Sequence, residues 1–320
     1  NCKTYFTSIL WKSMKFNPKK ISFGRHETFP LRYSWLTKGF QALISNQNIF
    51  SSDEATVELG VGKNMVKSIR FWLLACKMVK YSNSKYEPTE LGSLIFDAKG
   101  GVDPYLEDEV TLWLIHWLIS TNPKNATAWF WFFNRFHKPE FMADESSAAL
   151  IEFANQNNIK SSLTILKGDT GILLRMYSRS TGNTRTSLEE ALDSPLSLLG
   201  LITQAPGGRN YFSYPEERAD LPLCVFGFAV LQLLETLEKK DLPIGDLMYS
   251  KTDFPSLGAV FRLTENSLIS KLEQLGQIYG DIFAVRETAG IHQVYVLKTT
   301  DPLNILKQYY NSEDQLKNAA

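Results

Sequence analysis

Two glycines around a valine, Gly60-Val61-Gly62, separate two stretches of helical spacing and confine the chain there to a tight helix-to-helix turn, because glycine takes positive φ without steric cost. Upstream, Pro30 suits the first turn of a helix on which Leu31, Trp35, Leu36, Phe40 and Leu43 recur at three- and four-residue intervals. Ser51, three residues before Glu54, makes a capping-box pattern for a short helix ending near Leu59. Downstream, the spacing predicts a helix from Lys63 to about Met78 with Val66, Ile69, Leu73 and Cys76 on one face. A hairpin with Ser82-Asn83-Ser84 at its tip, flanked by Lys80 and Lys85, follows, and then a helix starting near Thr89. Helix, helix, turn, helix, hairpin is the order of a winged helix-turn-helix, assigned to residues 21–100.

Residues 101–218 read as a helical middle domain with Asp103-Pro104 as a cap and first-turn pair, two aromatic-rich segments (Trp113 to Ile119 and Ala128 to Phe136), and loops at Gly182 and at Ala205-Pro206-Gly207-Gly208. Residues 219–320 repeat the first architecture. A long apolar helix (Leu223 to Leu237) precedes Ile244 to Tyr249, Leu257 to Leu263, a helix capped at Thr264 and running to Leu275, and strands near Ile278 to Arg286 and Ile291 to Leu297 around Thr288-Ala289-Gly290. This is a second winged-helix-like domain. Its third helix carries Glu265, Glu273 and only Lys271, a set suited to packing or partner contact rather than to phosphate. Residues 1–20 form an extension or arm, of which 1–13 read as upstream of the first starting methionine, Met14. The fold class expected is mainly α with small β hairpins (α+β).

The 34 basic and 34 acidic side chains cancel over the whole chain but not locally. Residues 1–100 hold 15 basic and 7 acidic side chains, and the excess concentrates in 1–40 and 61–80. The two later portions are each net −4. Clustered positive charge is the footprint of phosphate contact, and the balance excludes a uniformly basic coat for DNA. Cys2, Cys76 and Cys224 are odd in number and widely spaced, so they make neither a disulfide framework nor a thiolate metal site. The apolar run from Leu223 to Leu234 contains Gly227 and Gln232 and falls short of the ~18 residues of a membrane span. A reducing, cytoplasmic setting is the expectation.

On the Lys63 helix the face opposite the apolar one is made by Asn64, Lys67 and Phe71, bordered by Lys63 and Arg70. Lysine and arginine there neutralise phosphates or bond guanine, and asparagine pairs with adenine. The DNA-binding candidates are Lys63, Asn64, Lys67, Ser68 and Arg70 with Lys80 and Lys85 of the hairpin; Phe71 is either a thymine contact or a packing residue. The same segment is not a phosphate loop, because Val57 and Asn64 stand where that loop needs glycine and Ser or Thr. A second cluster, Gly24-Arg25-His26-Glu27 through Arg32-Tyr33, places Arg25, His26, Glu27 and Arg32 as catalytic candidates. His26 or Glu27 would be the base and the arginines would stabilise negative charge. The alternative is structural, with Glu27 paired to an arginine and His26 capping the first helix. His26, His116, His137 and His292 are scattered and no metal motif is predicted. Glu238-Lys239-Lys240 has a nuclease-like spacing but sits at a helix end, where solvated charge is ordinary.

The run Phe23-Gly24-Arg25-His26-Glu27-Thr28-Phe29-Pro30-Leu31-Arg32-Tyr33 and the run Leu59 to Arg70 resemble a family of bacterial proteins of formerly unknown function found with DNA phosphorothioation genes, the SspB-like family. Leu166-Lys167-Gly168-Asp169 through Tyr177, and Leu192-Asp193-Ser194-Pro195-Leu196 through Ile202, are similar to it as well. The resemblance runs from about Met14 to beyond residue 300. It implies an antiphage role in replacing a non-bridging phosphate oxygen of DNA by sulfur, alongside a cysteine desulfurase, a sulfurtransferase and an ATPase. It also implies an association with DNA nicking.

The sequence reading is therefore a DNA-binding component of a phosphorothioate-modification system that engages duplex DNA and, in its furthest form, nicks it. A divalent metal is the one cofactor candidate, tied to nicking. Partners expected are duplex DNA, the sulfur-transfer and ATPase components, and a second copy of the chain, with no membrane. The rival readings are a non-catalytic scaffold or regulator that recruits those enzymes, favoured by the acidic later portions, and a transcriptional regulator.

Overall fold

The structure, a computed structural model, describes residues 14–178, 194–249, 253–288 and 291–319. The expected arm over 1–13, the loop at Gly182, the pair Leu192-Asp193 and the hairpin tip Ala289-Gly290 lie outside the described residues. The chain is mixed α+β, mostly helical with small antiparallel sheets, and divides into two units, Phe16–Tyr214 and Asn1–Lys15 with Pro215–Ala320.

In the first unit, α1 (Tyr33–Ser45) crosses α3 (Lys63–Ala75), with a 3-10 turn (Ile49–Ser51) and α2 (Ala55–Leu59) between them. Leu31, Trp35, Leu36, Phe40 and Leu43 are all buried, as their spacing predicted. The helix nevertheless starts at Tyr33 rather than beside Pro30. Glu27 and Thr28 are left-handed (φ 50 and 67), Arg32 is extended, and Trp72 Nε1 donates to the Phe29 carbonyl at 3.2 Å, which holds 29–32 out of the helix. The expected capping box at Ser51 is not formed; the Ser52 hydroxyl accepts from the Glu54 N–H instead.

Helix α3 ends three residues earlier than its pattern, at a Schellman-type closure. Met78 N–H bonds the Leu73 carbonyl, Lys77 N–H bonds the Leu74 carbonyl, and Lys77 takes the left-handed position (φ 57) that glycine usually fills. Strands β1 (Val79–Ser82) and β2 (Lys85–Pro88) form the expected hairpin, closed by Asn83 and Ser84 at positive φ. Thr89 caps α4 (Glu90–Phe96) by accepting from Gly92 N–H at 3.0 Å.

The two aromatic-rich segments become α5 (Glu109–Ser120) and α6 (Thr127–Arg135). Asp108 caps α5, while Asp103 accepts from the N–H groups of Glu107 and Asp108 in the preceding turn, so the capping residue lies five positions beyond the predicted one. From Val110 to Ser120 every side chain of α5 is buried, and its polar members are bonded: His116 Nδ1 lies 2.8 Å from the Tyr177 hydroxyl and 3.4 Å from the Ser120 hydroxyl. Burial raises the Tyr177 phenol well above its ordinary pKa, which keeps it neutral in this core.

Strand β3 (Glu140–Met142) leads into α7 (Ala143–Gln156), which packs on α8 (Leu163–Tyr177). After a 3-10 turn (Pro195–Leu199), β4 (Thr203–Gln204) and β5 (Asn210–Phe212) join β3 in the sheet order β3-β5-β4. Strands of two and three residues carry no readable alternation, so this sheet was invisible in the pattern.

The second unit opens with α9 (Leu223–Leu237), buried from Cys224 to Leu234. Then follow β6 (Asp241–Pro243), α10 (Ile244–Met248), α11 (Leu257–Phe261), α12 (Glu265–Ile278), β7 (Phe283–Thr288), β8 (Ile291–Val296) and α13 (Pro302–Ala319). Thr264 caps α12 as read, accepting from Ser267 N–H at 3.2 Å. The hairpin β7-β8 starts later than predicted because α12 runs on to Ile278, and β6 adds a third strand on β8. No helix among the described residues is long and apolar enough to cross a membrane.

Candidate nucleic-acid interface

The exposed start of α3 follows from its two glycines. Gly60 closes α2 at φ 63 and Gly62 precedes the first turn of α3 in extended form; a Cβ at either would meet nothing within 4 Å. Lys63 and Asn64 are exposed, and Lys67 is half-exposed, 3.4 Å from Asn64 Oδ1. Arg70, one turn further, lies over the Tyr86 ring of the hairpin at 5.8 Å and so ties the helix to β2. On the hairpin, Lys80 pairs with Glu87 at 3.2 Å, and Lys85 is exposed. The Ser82 hydroxyl, with Lys80 beside it, holds the Glu87 carboxyl below its ordinary pKa.

Phe71 of the predicted face and the DNA-binding candidate Ser68 turn inward. Ser68 is fully enclosed, so its side chain presents nothing to DNA. Phe71 is 8% exposed and packs on Trp72 (4.7 Å between ring centroids) and on His26 (6.0 Å), which decides its role in favour of packing.

His26 explains that inward turn. It is 2% exposed, between Phe71, Trp72 and Trp129, and both ring nitrogens are engaged. Nδ1 accepts from the Thr28 N–H at 3.1 Å, so the ring proton sits on Nε2, which donates to Asp169 Oδ1 at 2.9 Å. The same oxygen accepts from Gly24 N–H at 2.9 Å. Asp169, itself 1% exposed on α8, thus pins the 24–28 turn. The neighbours of His26 have separate engagements: Glu27 pairs with Lys67 at 3.7 Å and Arg32 lies over the Trp35 ring at 5.3 Å, while Arg25 is exposed. The expected pairing of Glu27 with an arginine is replaced by a lysine, and His26 caps the turn rather than the helix.

Two residues absent from the sequence-predicted set belong to this region. Asp169 and Arg175 both come from α8, and Arg175 Nη2 donates to the Thr28 carbonyl at 3.3 Å. Their one sequence signal was the motif-like run Leu166 to Tyr177. In the second unit Lys271 is buried and donates to Leu221 O at 2.8 Å, in keeping with its reading as a packing residue. Glu238 is the left-handed cap that ends α9, an ordinary helix-end charge. Among the described residues no group of three or more His, Cys, Asp or Glu side chains could hold a metal ion.

The fold is thus a mostly helical α+β one with a basic helix start beside a lysine-bearing hairpin. The chain belongs to the DUF4007 family, described as a protein of unknown function, whose model matches residues 23–310. Two solved structures are similar to it: a crystal structure of SspB and a crystal structure of magnesium ion-bound SspB. Each shares 25% identity at a TM-score of 0.80, covering 91% of this chain and 88% of the other. The chain is SspB-like, as its motifs implied. No curated protein matches it.

Proposed function

We propose that this chain is a DNA-binding component of a DNA phosphorothioate-modification system, acting through residues 21–100 as a winged helix-turn-helix. Helix α3 is the recognition helix and the β1-β2 hairpin the wing. The carrying observation is the solvent-facing start of α3, where Lys63, Asn64 and Lys67 stand on an open glycine turn, with Lys85 on the adjacent hairpin. Lys63 and Lys67 neutralise phosphates, Asn64 reads a base edge, and Lys85 with Arg70 steadies the wing against the backbone. Residues 101–218 form the helical middle and 219–320 a second winged-helix-like domain that meets protein, the sulfur-transfer and ATPase components of the system.

Nicking draws less support from this geometry. A general base must reach solvent or substrate with a free nitrogen, whereas His26 is enclosed with both nitrogens bonded. One of the similar SspB structures binds magnesium, but the described residues of this chain offer no grouped ligand set to receive it. With His26 held as an anchor, the base candidate that still reaches solvent is Glu27, half-buried and 3.7 Å from Lys67.

A gel-shift salt titration on duplex DNA tests the reading. The double variant Lys63→Ala, Lys67→Ala is expected to weaken binding and to lower the slope of log affinity against log salt by roughly 1.8, at about 0.9 per phosphate contact. Unchanged affinity with an unchanged slope overturns the recognition helix.

A further inference from the structure

We propose that the outward face of α8 is a second nucleic-acid contact, a track that receives the sugar-phosphate backbone beside the recognition helix; it rests on the DNA-binding reading above.

Lys167, Gly171 and Arg175 stand four residues apart on α8, so they share one face, with Gly168 beside them. All three are exposed. Glycine is the costliest helix-interior residue after proline, and α8 carries two. Packing does not ask for either one, since a Cβ at Gly168 or Gly171 would meet nothing within 4 Å. A bare helix surface between two cations lets a bulky anionic chain approach closely, as glycines do wherever a backbone must meet a ligand.

Charge separates a nucleic acid from a protein helix as occupant. The only acid on α8 is Asp169, and it is buried against His26 and Gly24. Along the flank of α8 runs the 24–28 turn, with Gly24 against Ile165 and the Thr28 carbonyl on Arg175. This turn adds the exposed Arg25, and its one carboxylate, Glu27, is already paired with Lys67. Glu27 and Thr28 are consecutive residues, one bonded to Lys67 of α3 and the other to Arg175 of α8. The track is therefore continuous with the proposed recognition surface. Lys167 and Arg175 are ~12 Å apart along the helix axis, a span that covers several phosphates of one strand at 3.4 Å axial spacing.

The test measures fluorescence anisotropy of a labelled duplex with the full chain across a salt series. Lys167→Ala is expected to weaken binding several-fold and lower the salt slope by about 0.9. Gly171→Leu, which fills open space and is the better helix former, is expected to weaken binding about tenfold with the slope unchanged and the thermal midpoint raised rather than lowered. Arg175→Lys, which keeps the charge, retains the slope. If Lys63→Ala, Lys67→Ala weakens binding while Lys167→Ala and Gly171→Leu both bind as the parent does, the track is wrong and the recognition helix stands; a protein partner for this face then takes its place. If the parent chain itself leaves the duplex unbound, both readings fall.

Discussion

His26 Nε2 lies 2.9 Å from Asp169 Oδ1, and through that bond a turn near the start of the chain is fastened to a helix 143 residues away. Asp169 also accepts from Gly24 N–H, and the turn it holds includes two consecutive non-glycine residues at positive φ, Glu27 and Thr28. Such backbone persists only where the surroundings over-determine it. Here a buried carboxylate, three aromatic rings and Arg175 do so.

The His26–Asp169 pair is accordingly expected to be a stability element. Asp169→Ala leaves one buried and one half-buried donor without their acceptor and should cost about 2–4 kcal/mol. A double-mutant cycle with His26→Ala, read by urea unfolding, should give a coupling energy above about 0.5 kcal/mol. Additive losses would show that the two side chains act independently.

Gly39 is where α1 crosses α3. A Cβ there would run into Ile69 Cγ2 and stand 2.9 Å from Leu73 Cδ1. Gly39→Ala, which improves helix propensity, should nonetheless destabilise by about 1–3 kcal/mol through overpacking. Calorimetry of the variant decides, since a raised midpoint would mean the two helices separate freely.

Lys77 gives stability a pH dependence of definite sign. Burial pushes its ammonium from 10.5 down to about 7, so between those values the unfolded chain holds a proton that the folded chain has released. Its contribution is complete above pH 10.5 and is lost as pH falls through about 7. Lys77→Met should therefore stabilise the protein near pH 6 by about 1–3 kcal/mol, a gain that shrinks toward pH 10. Equal gains at both pH values in chemical denaturation would contradict this.

Thr89 serves two ends of the hairpin at once. Its hydroxyl accepts from Gly92 N–H and shares its one proton between the carbonyls of Lys77 (2.8 Å) and Met78 (3.0 Å). Thr89→Ala should cost about 1–2 kcal/mol, while Thr89→Ser recovers most of it. Hydrogen exchange of the α4 amides provides the local readout.

Much of the fold was legible beforehand because helices are written in local terms. The 3.6-residue period placed α1, α3, α9 and α12 within a few residues, and side-chain oxygens at Thr89 and Thr264 marked where helices begin. The basic start of α3 was legible for the same reason, since it needs only the glycine turn and the lysines that follow. The β3-β5-β4 sheet was not, because strands of two or three residues exist only through partners distant in the chain.

What the sequence determined alone, then, was the run of helices, the hairpin and a cationic helix start, each set by neighbours within a turn or two. What tertiary structure alone decided was which of those side chains reach solvent. Phe71 shares the outward arc with Asn64 and Lys67 on paper and Ser68 was among the DNA-binding candidates, yet both are buried, Phe71 against the His26 turn. His26 looks like a base in isolation and becomes an anchor once Asp169 takes its proton-bearing nitrogen. Burial depends on contacts between segments 45 residues apart, as for Phe71 and His26, or 143 apart, as for His26 and Asp169, and no local period encodes those.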